Sequence, residues 1–219
     1  MNIGINDVLK QIRLFFIIYL ILLCGCLLVK VLFTKEAIYF AVNACYSPFL
    51  DYIAPYVTDI GDGITIIILS AILSLFNYRA SFLMITSYAL TSLTAQAVKY
   101  IFDAPRPILL YKDKASLMHL VKGVYMIQYH SFPSGHTVTA FSAAVVTVYL
   151  AKNKNWSILL LLVAIAVGYS RMYLSEHFFE DVVAGSVIGV LVTGCWLSFI
   201  DRKQFLNKPS WNRGLLKRY

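Results

Sequence analysis

Two histidines and three basic side chains occur in this sequence at spacings that suit phosphoryl chemistry. Six residues separate Lys99 from Arg106, and five separate Arg171 from His177. Arginine offers a planar fork to phosphate oxygens, and lysine adds a compact positive charge. If the fold brings Lys99, Arg106 and Arg171 together, we expect them to bind a multiply charged anion, with phosphate as the main candidate.

The segment Pro133-Ser134-Gly135-His136 has the pattern of a helix start. Free N–H groups at the beginning of a helix, together with the positive end of its dipole, favour an anion. Gly135 lets an oxygen approach the backbone closely, and the Ser134 hydroxyl can donate a further hydrogen bond. Both residues are therefore predicted to join the phosphate-binding set.

Catalysis is indicated by His177 and Asp181, which are four residues apart. If a helix begins within this segment, both lie on one face, and Asp181 can accept a hydrogen bond from one ring nitrogen while the other attacks phosphorus. His136, at a different helix end, would protonate the departing alkoxide and then activate water. The cations would stabilise negative charge in the transition state, so this reaction requires no metal, and no cofactor is predicted.

The composition indicates which elements must position these residues. Of the 219 residues, 59% are hydrophobic and only 14% are charged, and the mean hydropathy is +0.71. A soluble domain this small could not bury so much apolar surface, and a disordered chain would be far more polar. We therefore expect an all-α, polytopic membrane protein.

Six apolar stretches, extended by their flanks, are long enough to cross the hydrocarbon, which takes about 20 residues. They predict one membrane domain, residues 1–219, built as a six-transmembrane-helix bundle. The longest outer loop covers residues 103–132, and a basic cytoplasmic tail, expected to be solvated, covers residues 201–219. The predicted spans are residues 12–33, 61–78, 80–101, 133–151, 155–171 and 181–200.

The basic residues predict that both termini are cytoplasmic. In that orientation eleven of the nineteen Lys and Arg residues lie inside and eight lie outside, in agreement with the positive-inside rule. The candidate site residues, from three separate chain regions, then all fall at the outer face. Apolar residues continue past the Cys24-Gly25-Cys26 segment to Phe33, so we expect an uncleaved first span rather than a removed signal peptide.

Several other patterns predict local structure. Residues 34–62 are too polar and proline-rich to span, and their aromatic residues suit the outer interface. Apolar residues at helical spacing between Leu117 and Ile127 predict a short helix on the membrane surface. The Gly185 and Gly189 pair favours close helix packing within the bundle over a dimer interface. The four cysteines are interpreted as small apolar fillers.

Three segments together resemble the signature of the type-2 phosphatidic acid phosphatase superfamily. Residues 99–107 are similar to its K-x6-R-P motif, residues 133–136 to P-S-G-H, and residues 170–181 to S-R-x5-H-x3-D. All three match in order and internal spacing, within a core from about residue 51 to residue 200. The resemblance implies five phosphate-binding residues and three catalytic ones. The five are Lys99, Arg106, Ser134, Gly135 and Arg171, and the three are His177 as the nucleophile that forms a phosphohistidine, Asp181 as its support and His136 as acid and base.

The resemblance implies a metal-independent phosphatase of lipid phosphates or diphosphates. A lipid phosphotransferase is the main alternative, because its first half-reaction is identical. A vanadium haloperoxidase is disfavoured by the apolar composition, since those members are soluble. A non-catalytic lipid-binding protein is disfavoured because His136, His177 and Asp181 are all present.

The expected partners are a membrane lipid phosphate and the bilayer, with no nucleic acid and no obligate protein partner. The expected location is the bacterial inner membrane, with the active site facing the periplasm. The candidate substrates are undecaprenyl diphosphate, which we favour slightly, then lipid A, phosphatidylglycerol phosphate and phosphatidic acid. The loop over residues 108–129 is expected to recognise the head group.

Overall fold

The computed structural model describes residues 4–216, and over this range the chain forms ten α-helices and no β-strand. The prediction of an all-α protein is therefore confirmed. Three short 3₁₀ helices, Lys112–Leu117, Gln204–Asn207 and Pro209–Asn212, complete the described elements. The α-helices are α1 (Ile5–Gln11), α2 (Arg13–Leu32), α3 (Lys35–Ala44), α4 (Pro48–Asp59), α5 (Gly63–Phe76), α6 (Tyr78–Phe102), α7 (Pro107–Leu110), α8 (Gly135–Leu150), α9 (Trp156–Tyr173) and α10 (Phe179–Ile200).

Helices occupy all six stretches that were predicted to cross the membrane, namely α2, α5, α6, α8, α9 and α10. Among the described helices, α2, α9 and α10 are each long and apolar enough to span by themselves. The pair α4 and α5 meets the same criteria jointly, with a bend of 54° at the break between them. Length and composition thus give three or four candidate spans, and the count of six stays a prediction.

The core of the bundle is built around α8, which packs against α6, α9 and α10. Val138, Val145 and Val148 on this helix are at most 1% exposed, because neighbouring helices cover it on several sides. In contrast, α2 leaves large apolar side chains such as Ile21 and Val31 exposed, as expected for a helix that faces lipid.

The packing of α10 on α8 depends on two glycines. A Cβ atom at Gly185 would lie 2.7 Å from the carbonyl oxygen of Ser134, and one at Gly189 would lie 2.7 Å from the carbonyl oxygen of Val138. These distances leave no room for a side chain between the two backbones. The prediction of close packing within the bundle is confirmed, and the contact at Ser134 holds α10 against the start of α8.

Replacing Gly189 by alanine should lower the free energy of unfolding by about 1–3 kcal/mol, because the new methyl group would overpack the contact between α8 and α10. Thermal unfolding in detergent measures the effect. Gly194→Ala is the matched control on the same helix, since a Cβ there meets no atom within 4 Å. A loss of stability in the control as large as that in Gly189→Ala would contradict this explanation.

The loop between α6 and α8, which the sequence predicts as the outer loop, differs in structure from the prediction. The helical part lies in α7 and in Lys112–Leu117, and residues 118–133 form no helix, so the helix predicted between Leu117 and Ile127 was wrong. Met118 and Val121 are buried in two separate apolar clusters, one with Tyr39 and the other with Tyr173. Reaching two clusters in four residues requires an irregular chain instead of one helical face.

The segment over residues 34–62 is largely helical. It forms α3 and α4 with a bend between them. Tyr46, Tyr52 and Tyr56 are exposed, whereas Tyr39 is 4% exposed and packs against Phe178. Part of this segment therefore supports the loop that carries His177 instead of only lining the interface.

The basic residues described after α10 are exposed, in line with the predicted solvated tail, but the segment is also anchored to the bundle at a few buried positions. Leu206 and Asp201 are both fully buried, and Asp201 accepts hydrogen bonds from Arg79 and from the Tyr149 hydroxyl. The backbone N–H groups of residues 215 and 216 donate to carbonyl oxygens near the end of α5. Apolar burial and a buried ion pair fold this segment, which we call the C-terminal clasp (residues 201–216), onto the helix ends.

Candidate active site

The eight predicted site residues meet at one end of the bundle, although they come from separate chain regions. Lys99 lies in the last turn of α6, Arg171 in the last turn of α9 and Asp181 in the first turn of α10, while Ser134 is the N-cap of α8. These two helix ends and two helix starts are adjacent because α8 packs against the other three helices.

Lys99 and Arg106 are held by the end of the outer loop. The Lys99 ammonium donates to the carbonyl oxygen of His130 at 2.6 Å, and the Arg106 guanidinium Nε donates to that of Tyr129 at 3.0 Å. The backbone N–H of Arg106 also donates to the carbonyl of Gln128 at 2.8 Å. The acceptors are all neutral backbone carbonyl oxygens. These bonds therefore hold Lys99 and Arg106 in place without neutralising their positive charges.

Two arginines meet at one buried carboxylate. Arg106 and Arg171 both bind Oε2 of Glu176, and Arg171 Nη2 lies 3.3 Å from it. Arg171 also donates to the Thr58 hydroxyl at 2.8 Å, whereas its Nε is buried with no hydrogen-bond partner among the described residues. Part of the donor capacity of this fork is therefore available for a bound anion.

The start of α8 is fixed against α10. The backbone N–H of Ser134 donates to the carbonyl oxygen of Asp181 at 3.0 Å, and the fully buried Ser134 hydroxyl accepts from Thr137 at 2.9 Å. The position of a Cβ at Gly135 would be 3.9 Å from the Lys99 side chain. The first turn of α8, whose N–H groups have no acceptor within the helix, thus lies beside the lysine side chain.

The contact between His177 and Asp181 is looser than predicted. Nδ1 of His177 lies 3.4 Å from Asp181 Oδ2 and makes no hydrogen bond among the described residues. Asp181 Oδ2 instead accepts from Ser131 Oγ at 2.5 Å and from the Phe178 N–H at 2.9 Å. Phe178 is the N-cap of α10, so His177 precedes the helix, and the expected common helical face was wrong. The orienting role of Asp181 stays a prediction.

His177 is 1% exposed and lies between α9 and α10. Burial lowers its pKa well below the ordinary value of 6.5, and the positive charges of Arg106, Arg171 and Lys99 lower it further. The imidazole is therefore neutral at physiological pH. A neutral imidazole retains a lone pair, as a nucleophile requires.

His136 borders a cavity of about 140 Å³ between α5, α6 and α8. Lys99, Tyr88 and Gln96 also line it, and His136 Nε2 lies 3.6 Å from Asp62 Oδ2. Unlike His177, His136 keeps about 29% of its side chain exposed. The cavity therefore places the half-buried His136 imidazole and the Lys99 ammonium beside the same open space. A histidine that is to act as acid and then as base on a bound phosphate needs such an opening.

Sequence reasoning missed four residues that shape the site: Thr58, Asp62, Ser131 and Glu176. Glu176 carried a usable signal, because it is an acidic residue between two site residues, Arg171 and His177. The other three carried none, since their contacts join segments far apart in the chain.

A helical bundle with apolar membrane helices defines an integral membrane protein, and one end of the bundle carries a cluster of cations near two histidines. Residues 80–205 match the model of the PAP2 superfamily, and the chain belongs to this family of lipid phosphatases.

Its relatives act on several lipids, according to their names. The chain is 30% identical to lipid A 4'-phosphatase of Bacteroides thetaiotaomicron, with 72% of each protein covered. It is 28% identical to phosphatidylglycerophosphatase B of Bacillus subtilis, over 81% of this chain and 88% of the relative. Undecaprenyl-diphosphatase of Sulfolobus acidocaldarius is 28% identical over 54% of this chain and 52% of its own length.

Two crystal structures share the fold. Aquifex aeolicus LpxE matches with a TM-score of 0.64 and 28% identity, over 74% of this chain and 93% of that chain. The PAP2-type phosphatidylglycerolphosphate phosphatase of Bacillus subtilis matches with a TM-score of 0.61 and 25% identity, over 87% and 94%.

Proposed function

We propose that this protein is a metal-independent lipid phosphatase that hydrolyses a lipid phosphomonoester or diphosphate through a phosphohistidine. The supporting observation is the arrangement of Arg106 and Arg171 beside the buried, neutral imidazole of His177, with Lys99 within electrostatic range. Such a site binds a phosphoryl group and presents a nucleophile to it.

The reaction would take place in two displacements. Because Nδ1 of His177 is directed at Asp181, Nε2 attacks phosphorus, the bond from phosphorus to the lipid oxygen breaks, and His136 gives a proton to that oxygen. His136 then takes a proton from water, the water oxygen attacks phosphorus, and the bond from phosphorus to Nε2 breaks. His177 is released in its starting form with inorganic phosphate as the product.

The charges on the chain would stabilise both transition states. Lys99, Arg106 and Arg171 supply three cations, and the first turn of α8, at Ser134 and Gly135, adds N–H donors. Fixed positive groups of this kind act on the developing negative charge of the phosphoryl oxygens without a metal ion. They are the physical basis for proposing metal independence.

We further propose that residues 1–219 form a single membrane domain with six spans and both termini in the cytoplasm of a bacterium. The site and the C-terminal clasp lie at opposite ends of α6, whose 25 residues extend about 37 Å. This length exceeds the roughly 30 Å of a bilayer core, so the two ends belong on opposite sides. The basic clasp favours the cytoplasmic side, which puts the site in the periplasm.

Among substrates, lipid A and phosphatidylglycerol phosphate are the first to test. The relatives named for these lipids match more than two thirds of both chains, whereas the relative named for undecaprenyl diphosphate matches about half. This support reverses the slight preference for undecaprenyl diphosphate drawn from the sequence. The shared requirement is a phosphate on a membrane-anchored lipid at the outer leaflet.

A turnover panel tests the proposal. The purified protein in nanodiscs is given lipid A, phosphatidylglycerol phosphate, undecaprenyl diphosphate or phosphatidic acid, and inorganic phosphate is measured with EDTA present. We expect phosphate release from at least one lipid at the same rate with and without EDTA. Release from none, or activity lost with EDTA and restored by magnesium, would contradict the proposal. A second arm adds a lipid acceptor, and phosphate transfer that replaces release would favour the transferase.

A further inference from the structure

Glu176 is a buried carboxylate at the centre of the candidate site, and none of the motif roles includes it. It is 3% exposed and is contacted by both site arginines. Burying an ionised carboxylate is costly unless charged partners compensate it. Here the partners are the same two guanidiniums that are expected to bind phosphate, so the carboxylate directly affects anion binding.

The geometry of Glu176 is fixed from its backbone. Its N–H and that of His177 both donate to the carbonyl oxygen of Arg171, at 3.1 and 3.2 Å. The preceding residue, Ser175, has a φ of 56°, and its hydroxyl bonds with Tyr39 at 2.9 Å and Asn43 at 3.2 Å. The loop from α9 to α10 thus presents Glu176 and His177 together, supported by α3.

Glu176 contacts both arginines through one carboxylate oxygen, and this leaves the arginines able to bind a second anion. Both reach the same oxygen, Oε2, so each fork keeps further N–H groups, including the unpartnered Nε of Arg171. A guanidinium offers five N–H donors in fixed directions. Glu176 therefore aligns the two forks without saturating them.

Glu176 also reduces the positive charge of the site. Lys99, Arg106 and Arg171 supply three positive charges, against which Glu176 and Asp181 place two negative ones. Burial lowers the pKa of Arg106, and the nearby carboxylates of Glu176 and Asp181 oppose that effect. Without Glu176, a bound phosphate would meet a site with one more net positive charge, and the affinity for product would rise.

We propose that Glu176 is a positioning residue that aligns Arg106 and Arg171 and limits the affinity of the site for free phosphate, so that the product can leave. This inference rests on the proposed phosphatase function. Glu176 then has two separable effects. The alignment of the arginines depends on its hydrogen-bond acceptor oxygen, and the limit on phosphate affinity depends on its charge.

Two substitutions separate these effects. Glu176→Gln keeps an acceptor oxygen but removes the charge, so inorganic phosphate and vanadate should inhibit about tenfold more strongly, and kcat should fall less than in Glu176→Ala. Glu176→Ala removes both, so kcat should fall more than about tenfold because the forks lose their alignment. Glu36→Gln is the control, since Glu36 pairs with Lys114 on the surface.

The readouts are kcat, KM and the inhibition constants of inorganic phosphate and vanadate, together with the melting temperature of each variant. Calorimetric titration with inorganic phosphate measures the same affinity without turnover. Unchanged phosphate affinity in folded Glu176→Gln would refute the role of the charge, and wild-type kcat in Glu176→Ala would refute the alignment. If Glu176→Ala does not fold, Glu176→Asp replaces it: its phosphate affinity should equal that of wild type because the charge is kept, and its kcat should fall because the shorter carboxylate no longer aligns both forks, so wild-type kcat would refute the alignment.

Failure of the proposed function gives a different result. In that case wild-type protein releases no phosphate from any of the four lipids, whereas the calorimetric comparison still gives an answer for Glu176. If wild type turns over but the phosphate affinities of wild type and Glu176→Gln agree, the inference about Glu176 alone is wrong.

Discussion

Replacing His177 by alanine is expected to lower turnover by a factor on the order of 10⁴ or more while the bundle stays folded, because the variant has no atom that can form the covalent intermediate. His177 is almost fully buried, and only a neutral imidazole has the lone pair that the proposed attack requires. Because burial and neighbouring cations lower its pKa below 6.5, the nucleophile stays unprotonated from neutral pH down to about that value. Any loss of turnover due to its protonation should appear only at more acidic pH.

Two measurements test this expectation. Phosphate release from the best lipid of the panel gives the rate, and rapid quenching with a radiolabelled substrate detects the phosphorus–nitrogen bond, which survives base and is cleaved by acid. Wild type should retain label on the protein, and His177→Ala should not. His119→Ala serves as the control, because His119 bonds with Asp51 outside the candidate site. Wild-type rates or protein-bound label in the His177 variant would remove His177 from the mechanism.

Replacing His136 by alanine is expected to lower turnover of a lipid substrate by about 10²–10⁴-fold, because one group would serve as acid in the first displacement and as base in the second. The two steps should respond differently to the leaving group. An aryl phosphate such as 4-nitrophenyl phosphate leaves without help from an acid, so its first step should be nearly normal, while hydrolysis of the phosphohistidine stays slow.

The expected signature of His136→Ala is therefore a burst of 4-nitrophenol followed by a slow steady rate, with labelled protein accumulating. Stopped-flow absorbance and quench experiments measure both. The control is His130→Ala: the carbonyl oxygen of His130, and not its ring, binds Lys99, so that contact survives the substitution. Equal slowing of lipid and aryl substrates without accumulation of label would show that His136 does not act in the second step.

The clustering of the candidate site residues was predictable because each motif lies within a short segment, and the predicted succession of apolar helices puts these segments at one end of the bundle. Lys99, Ser134 and Arg171 each mark a helix end that composition alone locates. The same reasoning failed for Glu176, whose partner Arg106 is 70 residues away. The position of Glu176 between two site residues was a usable signal, but its burial and its pairing with Arg106 depend on tertiary contacts.

One error and one omission have a common physical origin. Both the loop residues Met118 and Val121 and the tail residue Leu206 are buried by segments distant in sequence. Local periodicity describes one helix and its immediate face, so it predicted a surface helix in the first case and gave no sign of the buried Leu206 in the second. Side chains that fill gaps between helices are placed by the shape of those gaps and not by the periodicity of their own segment.

The C-terminal clasp has a consequence for the depth of Lys99, a candidate phosphate-binding residue, in the membrane. The clasp binds the first turn of α6 in two ways: the Tyr78 N–H donates a hydrogen bond to it, and Arg79 forms an ion pair with Asp201. Lys99 lies near the other end of the same helix. Because a helix is stiff along its axis, fixing the first turn of α6 also fixes the depth at which its last turn, with Lys99, meets the lipid head groups. Removing the residues after Ile200 would remove this anchor, and α6 could then shift along the membrane normal. Reporter proteins are therefore better fused after Leu216 than in place of the clasp.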